Sequence, residues 1–365
     1  MSAAQMKCGR AARAIVVTAI SWLLGSALLA GALGSSLLLG GVLPGDTQAA
    51  APVPIIFDTD IMGDVDDVGA VAVLHALADR GEAHILAMGV CVRNAWSPLC
   101  LDALNTYFLR PDIPLGVVKG PAHTGASRYA QQIAEEFPHA LRSADEAPDA
   151  VRVYRQVLAE QPDHSVVMVS VGQLTNLRNL LKSGPGQYSN LDGAELVKRK
   201  VRAWVCMGGI FSSGREANFI NDGPAASYAV QHWPTPMVFS GFEIGEQIMT
   251  GARLAEAPQK SPVRRAYELY NGLHDRQSWD QTAVLYAVRG LDGGLADYWH
   301  LQTGGALHVE QDGSDAWQPS SSQSQSYLVK QMAPEKIAAV IESLMLHAPG
   351  SGRAKSQLKQ SRPAP

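Results

Sequence analysis

The sequence predicts an α/β protein: one open, mostly parallel β-sheet flanked by helices, in the Rossmann-like manner. Three observations predict it. Short β-branched runs alternate with helical patterns from Pro52 onward. The strand-like runs are almost wholly apolar, as strands covered on both faces are. The first of them ends in a crowd of acidic residues, at the carboxyl end where ligands of such sheets gather.

In order, VPIIF (53–57) opens the sheet and VGAVAVLHALADR (68–80) follows as a helix. HILAMGV (84–90) is the next strand, PLCLDALNTYFL (98–109) its helix, and IPLGVV (113–118) a further strand. VRVYRQVLAEQ (151–161) spaces its apolar residues at helical intervals and returns the chain to the strand SVVMVS (165–170). LTNLRNLLKS, VRAWVCM, PAASYAVQHW and PMVFS continue the alternation of helix and strand. Beyond them VRRAYELYNGL and WDQTAVLYAVRG read as helices, WHLQTGGALHV and QSYLVKQM as a strand pair, and PEKIAAVIESLMLH as a closing helix. No internal repeat or long linker interrupts this pattern, so residues 51–349 are expected to form one domain.

A chain of 365 residues, 46% of them apolar, can bury a sizeable core. Its net charge of -4 and pI near 6.2 give no general field for nucleic acid. The KRKVR run (198–202) reads as an exposed helix end or loop. In the first 50 residues, Lys7, Arg10 and Arg13 precede a long uncharged apolar run that ends in TQAAAP. This is the layout of a signal peptide, or of an N-terminal membrane anchor, because the run exceeds the ~20 residues that span a bilayer. Either places the rest outside the cytoplasm, secreted or periplasmic, with a membrane tether if the leader is kept. Residues 350–365 are basic, rich in Pro, Gly and Ser, and read as a disordered tail. Cys91, Cys100 and Cys206 have no metal-site spacing; they read as buried thiols, with a Cys91 to Cys100 disulfide as the alternative.

FDTDIMGDVDD (57–67) places five aspartates in eleven positions after an apolar strand. Like charges so close require a cation or shared protons. An EF-hand loop starting at Asp58 fails, because its third ligand position is Met62 and its twelfth is Gly69. A haloacid-dehalogenase-type phosphatase would use Asp58-Thr59-Asp60 with Asp58 as nucleophile, but gives Asp66 and Asp67 no task; it stays as an alternative. Taken together, Asp60, Asp66 and Asp67 sit where a loop opens a helix, whose N-terminus favours anionic side chains. Oxygen ligands of this density suit Ca²⁺.

The stretch resembles the aspartate fingerprint of the inosine-uridine-preferring nucleoside hydrolase superfamily, usually DxDPGxDD. Here two more residues separate the second Asp from the final pair. Later segments resemble the same family in chain order. Val171-Gly172-Gln173-Leu174-Thr175-Asn176 resembles a strand end of the form TGPLTN, and VCMGG (205–209) resembles the next strand with its Gly pair. Glu216-Ala217-Asn218 resembles an EFN segment, and Asp222 with Gly-Pro-Ala-Ala the helix start after it. Asp280 occupies the place of the last metal-binding carboxylate, and Asn94 that of an Asn near the site. These matches cover roughly residues 53–290.

The resemblance implies the nucleoside hydrolase fold and Ca²⁺-dependent hydrolysis of the N-glycosidic bond of ribonucleosides, giving free base and ribose. It implies Asp60, Asp67, the Val171 carbonyl and Asp280 as metal ligands, with Asp60 also accepting the proton of the attacking water. Asp66, Asn94, Glu216 and Asn218 would bind ribose. Trp279 stands where many members have a His acid. A Trp there resembles the purine-preferring branch, in which an aromatic ring stacks on the base and assists its departure. His274 and His75 are further candidate acids, the latter inside an apolar helix. The partners implied are a small-molecule ribonucleoside and, by resemblance, further copies of the chain in a homodimer or homotetramer. The longer loop and the missing His leave two alternatives: a nucleoside- or ribose-binding protein without turnover, or a hydrolase of another ribosyl compound. For the latter, Arg93 and Arg215 are the candidate phosphate contacts.

Overall fold

The computed structural model describes residues 51–321 and 324–350. β1 (Val53–Thr59) leads into α1 (Asp66–Asp79), β2 (Ala83–Val90) into α2 (Ser97–Tyr107), and β3 (Leu115–Val117) into α3 (Ala130–Glu136) and α4 (Ala150–Glu160). β4 (Val166–Ser170) is followed by α5 (Thr175–Lys182) and α6 (Gly193–Lys200). After β5 (Val201–Met207) come the short β6 (Ser213–Gly214), α7 (Ala217–Ile220) and α8 (Gly223–His232). Next in the chain are β7 (Met237–Ser240), α9 (Phe242–Gly245), β8 (Met249–Thr250), α10 (Pro262–Asn271), β9 (Arg276–Gln277) and α11 (Trp279–Arg289). β10 (Trp299–Gln302), β11 (Gly305–Val309), β12 (Asp315–Pro319), β13 (Gln325–Lys330) and α12 (Pro334–Met345) end the described chain.

Eight strands form the main sheet in the order β10-β13-β7-β5-β4-β1-β2-β3. All neighbours are parallel except β10 and β13. This is the mostly parallel sheet expected from the apolar runs, and the burial explains them. Along β1, Ile55 and Phe57 enter the core on one face and Ile56 the core on the other. Helix α1 is buried from Asp66 to Leu77, as a helix apolar on all sides must be, and its sequence shows no polar stripe for that reason.

One expectation is refined near the end of the chain. The run 299–309 splits into two strands at Gly304, whose φ of 79° is a left-handed turn conformation open to glycine. β10 pairs with β13 as expected, but β11 turns away to pair with β12 in a separate three-stranded sheet with β6. The KRKVR run ends α6, where its cations face the helix C-terminus, and enters β5. Cys91, Cys100 and Cys206 are free, buried thiols. Among the described residues no helix is long and apolar enough to cross a membrane. The segment expected to be a signal peptide or anchor (1–50) and most of the segment expected to be a disordered tail lie outside the described residues.

Candidate active site

The strand order reverses between β1 and β4, which opens a crevice at their carboxyl ends, the usual ligand position of such sheets. A cavity of about 510 Å³ lies there, walled by Asp60, Asp66, Asp67, Val171, Trp279 and Asp280 among others. Two helix starts converge on it. Asp66 and Asp67 form the first turn of α1, and Asp280 lies in the first turn of α11, so both positive helix ends face the carboxylates.

Oxygens of Asp66, Asp67 and Asp280 lie within 4.8 Å of one another, and all three side chains are buried. Burial, followed by repulsion from neighbouring carboxylates, holds each well above the usual carboxylate range. None of the three has an ion-pair partner among the described residues. Their hydrogen bonds come from neutral groups: the Thr59 hydroxyl to Asp67, and the Asp280 amide to Asp66 at 3.3 Å. Buried anions so arranged fit a hard divalent cation.

Asp60 borders the same cavity. Its Oδ2 accepts a hydrogen bond from the Gln173 amide at 2.8 Å, and burial raises its pKa to about 6. Glycine is required at 172, because a Cβ there would stand 2.7 Å from the Asp60 backbone nitrogen and Cβ. Val171 lines the cavity, and its carbonyl accepts from the Asn218 amide at 3.3 Å. Glu216 caps α7 by accepting from the Asn218 N–H at 2.9 Å, and burial lifts its pKa to about 8. Trp279 is fixed by its indole N–H, which donates to the Phe242 carbonyl at 2.8 Å. Its ring has Phe242 at 5.2 Å and the Arg276 guanidinium at 5.1 Å from its centroid.

The structure thus brings Asp60, Asp66, Asp67, Val171, Glu216, Asn218, Trp279 and Asp280 to one cavity. It does not bring Asn94 there. Asn94 Oδ1 accepts from the Trp96 and Ser97 amides, its Nδ2 donates to the Gly125 carbonyl, and the residue lines a neighbouring cavity with Trp96 and Arg93. Its chemistry there is that of a turn residue opening α2. His75 is buried against Asn105 and Phe108, far along α1 from the first turn, and His274 does not line the cavity. Asp58 is fully buried, bonded by Tyr154 and Asn176, and absent from the cavity wall. A phosphatase reading needs Asp58 as an accessible nucleophile and therefore falls.

The sequence leaves the role of Asp64 open, and it does not single out Arg276, His123 or Phe242. Asp64, from the longer loop, is ion-paired to Arg276, and both line the cavity with His123 and Phe242. Asp64 and Arg276 lie 212 positions apart, so no local pattern links them. The only available signal was the proximity of Arg276 to the Trp279-Asp280 pair.

A family model, inosine-uridine preferring nucleoside hydrolase, matches residues 55–337. Among curated protein sequences none matches the chain. Solved structures share the fold. An inosine-uridine preferring nucleoside hydrolase from Bacillus anthracis aligns with TM-score 0.60 at 14% identity, over 80% of this chain and 99% of that one. A purine-preferring ribonucleoside hydrolase from Gardnerella vaginalis aligns with TM-score 0.58 at 19% identity, over 80% and 99%. The type III effector XopQ, solved with adenosine diphosphate ribose, aligns with TM-score 0.61 at 16% identity, over 82% and 94%. With its fold, its ordered motifs and the family match over most of its length, the chain belongs to the inosine-uridine preferring nucleoside hydrolases, enzymes that hydrolyse the N-glycosidic bond of ribonucleosides.

Proposed function

We propose that the enzyme depends on calcium, prefers purine ribonucleosides, and works outside the cytoplasm behind its N-terminal leader. The observation that carries this reading is the convergence of Asp60, Asp66, Asp67 and Asp280 in one cavity with an indole on its wall. Asp60, Asp67, Asp280 and the Val171 carbonyl would hold the cation, with Asp66 close enough to share in it. Once bound, the cation supplies positive charge that lowers the pKa of adjacent water and relieves the carboxylate repulsion.

The remaining steps belong to the protein. Asp60 accepts the proton of the attacking water. Gln173 fixes the orientation of the carboxylate for that transfer by donating to its Oδ2 at 2.8 Å. Asp66, Glu216 and Asn218 hold ribose hydroxyls, which positions the anomeric carbon for attack. Charge building on the sugar in an oxocarbenium-like transition state is met by this anionic wall. Trp279 offers its ring to the base, and such stacking contributes ~1–3 kcal/mol. A purine gains most from it through its larger face.

Ribose release from inosine, adenosine, guanosine, uridine and cytidine tests this, with added Ca²⁺, with chelator, and in Asp60→Asn. Release that needs calcium, favours purines and is lost in the variant is expected. Equal turnover in chelator removes the calcium reading, and faster pyrimidine cleavage removes the purine one. A second reading, cleavage of a phosphate-bearing ribosyl compound, draws on Arg215 in the cavity wall and on the XopQ complex. It is the weaker one, because Arg215 is exposed and already paired with Asp312 at 2.6 Å. Binding of nucleosides with no release from any would favour a binding protein.

A further inference from the structure

The two-residue extension of the aspartate loop carries Asp64, and Asp64 holds Arg276 on the cavity wall. The guanidinium Nε donates to Asp64 at 3.0 and 3.1 Å, one Nη2 hydrogen goes to the same carboxylate, and Nη1 donates to Gln277 at 2.6 Å. The Tyr129 hydroxyl holds the loop itself by donating to the Asp64 carbonyl at 2.6 Å. The guanidinium lies 5.1 Å from the Trp279 ring centroid and 5.9 Å from that of Tyr270. It is a cation held by Asp64 over part of the ring proposed to stack on the base.

Of the five N–H groups of a guanidinium, three are engaged here. One on Nη1 and one on Nη2 have no partner among the described residues. Resting on the hydrolase reading above, we infer that Arg276 is a specificity-determining residue that recognises the acceptor edge of the departing base, selecting 6-oxopurine nucleosides over adenosine. Two guanidinium donors match the O6 and N7 acceptors of a 6-oxopurine. Adenine presents an amino donor in place of O6, so one arginine N–H then faces another donor and stays unpaired.

The same contact acts on the reaction. When the bond from the anomeric carbon to N9 breaks, its electron pair stays with the base, while the water oxygen bonds to the anomeric carbon. Negative charge spreads over the purine toward N7 and O6, and the base finally takes a proton from solvent. Arg276 keeps all its protons, since a guanidinium does not titrate in this range. Its N–H groups bind the charged base more strongly than the neutral one, which lowers the barrier.

The test is the ratio of kcat/KM for inosine to that for adenosine, in the wild type and in Arg276→Met. The wild-type ratio should be roughly ten to a hundred, and the variant's should fall toward one. A misfolded fraction lowers both rates alike and leaves the ratio intact; if the Met variant does not fold, Arg276→Lys is judged by the same ratio. A wild type that cleaves adenosine as well as inosine, or a variant with the wild-type ratio, overturns the inference. If no nucleoside is cleaved, the hydrolase reading fails separately, and the ratio of inosine to adenosine affinities by calorimetry decides by the same two outcomes. Failure of both nucleosides to bind overturns both.

Discussion

At its first turn α1 buries Asp66 and Asp67 beside Asp280; at its last it buries Asp79 beneath Arg110 at 2.6 Å, His347 at 3.0 Å and the Gly350 amide at 3.0 Å. Burial alone would raise every one of these carboxylates. At the far end, the hydrogen bonds from Arg110, Gly350 and His347 overcome it, and Asp79 is held below the usual range. At the near end the neighbours are other carboxylates, and Asp66, Asp67 and Asp280 stay raised. The same residue type on one helix therefore serves two purposes. A buried charge that the fold has already neutralised is structural, and one left to an external partner marks the site.

Substitution at each end should separate these roles. On the proposed reading, removing Asp67 takes away a cation ligand, and several kcal/mol of charge stabilisation go with it, so Asp67→Asn should lower kcat/KM on the order of a thousandfold. Thermal stability of the cation-free variant should hold or rise, because a repelling carboxylate is gone. Asp79→Asn should do the reverse: about 3 kcal/mol of stability lost by urea unfolding, since Arg110 loses its buried partner, with kcat per folded molecule unchanged. A crossed result, with Asp79 governing turnover or Asp67 governing stability, would break the comparison.

The same contrast explains how far the sequence could be read. The near end was legible because its residues are contiguous: Asp60, Asp66 and Asp67 follow β1 within eight positions, and the alternation of apolar strands with helices places them at a sheet edge. Asp280 was legible only through the family resemblance. The far end was not legible, because Asp79, Arg110 and His347 come from α1, the turn after α2 and the turn after α12, and nothing local joins them. The Asp64–Arg276 pair was hidden for the same reason. Asn94 shows the opposite limit. An Asn after a strand suits a turn as well as a ligand, and only packing shows which amides its oxygen accepts from.

Calcium should stabilise only the near end. In the cation-free protein Asp66, Asp67 and Asp280, raised well above the ordinary range, retain protons that the unfolded chain has lost above about pH 4. This end then costs stability as pH rises toward neutrality. A bound cation displaces those protons and removes the cost. At a hundredfold excess over its dissociation constant, calcium should add about 2.7 kcal/mol. The rise in Tm should be larger at pH 7.5 than at pH 5.5, where protons compete. Equal shifts at both pH values would mean that binding does not involve these carboxylates.

The smallest effect belongs to His75, one turn before Asp79. Burial, then the charge of Arg110, pushes its pKa down to about 3, against a weaker upward pull from Asn105 and Asp79. The folded chain therefore keeps His75 neutral at a pH where the unfolded chain protonates it. Stability from this group is complete above about pH 6.5 and is lost as pH falls toward 3. The slope is about 1.4 kcal/mol per pH unit below the unfolded value, so moving from pH 7 to pH 5 should remove on the order of 2 kcal/mol. Urea unfolding in chelator at both pH values, for the wild type and His75→Gln, isolates it, because the near-end carboxylates contribute equally to both proteins and cancel. The variant should lose less stability between pH 7 and pH 5 than the wild type does. If the two lose the same, the acid sensitivity of this end lies in Asp79 and its ion pairs rather than in the imidazole.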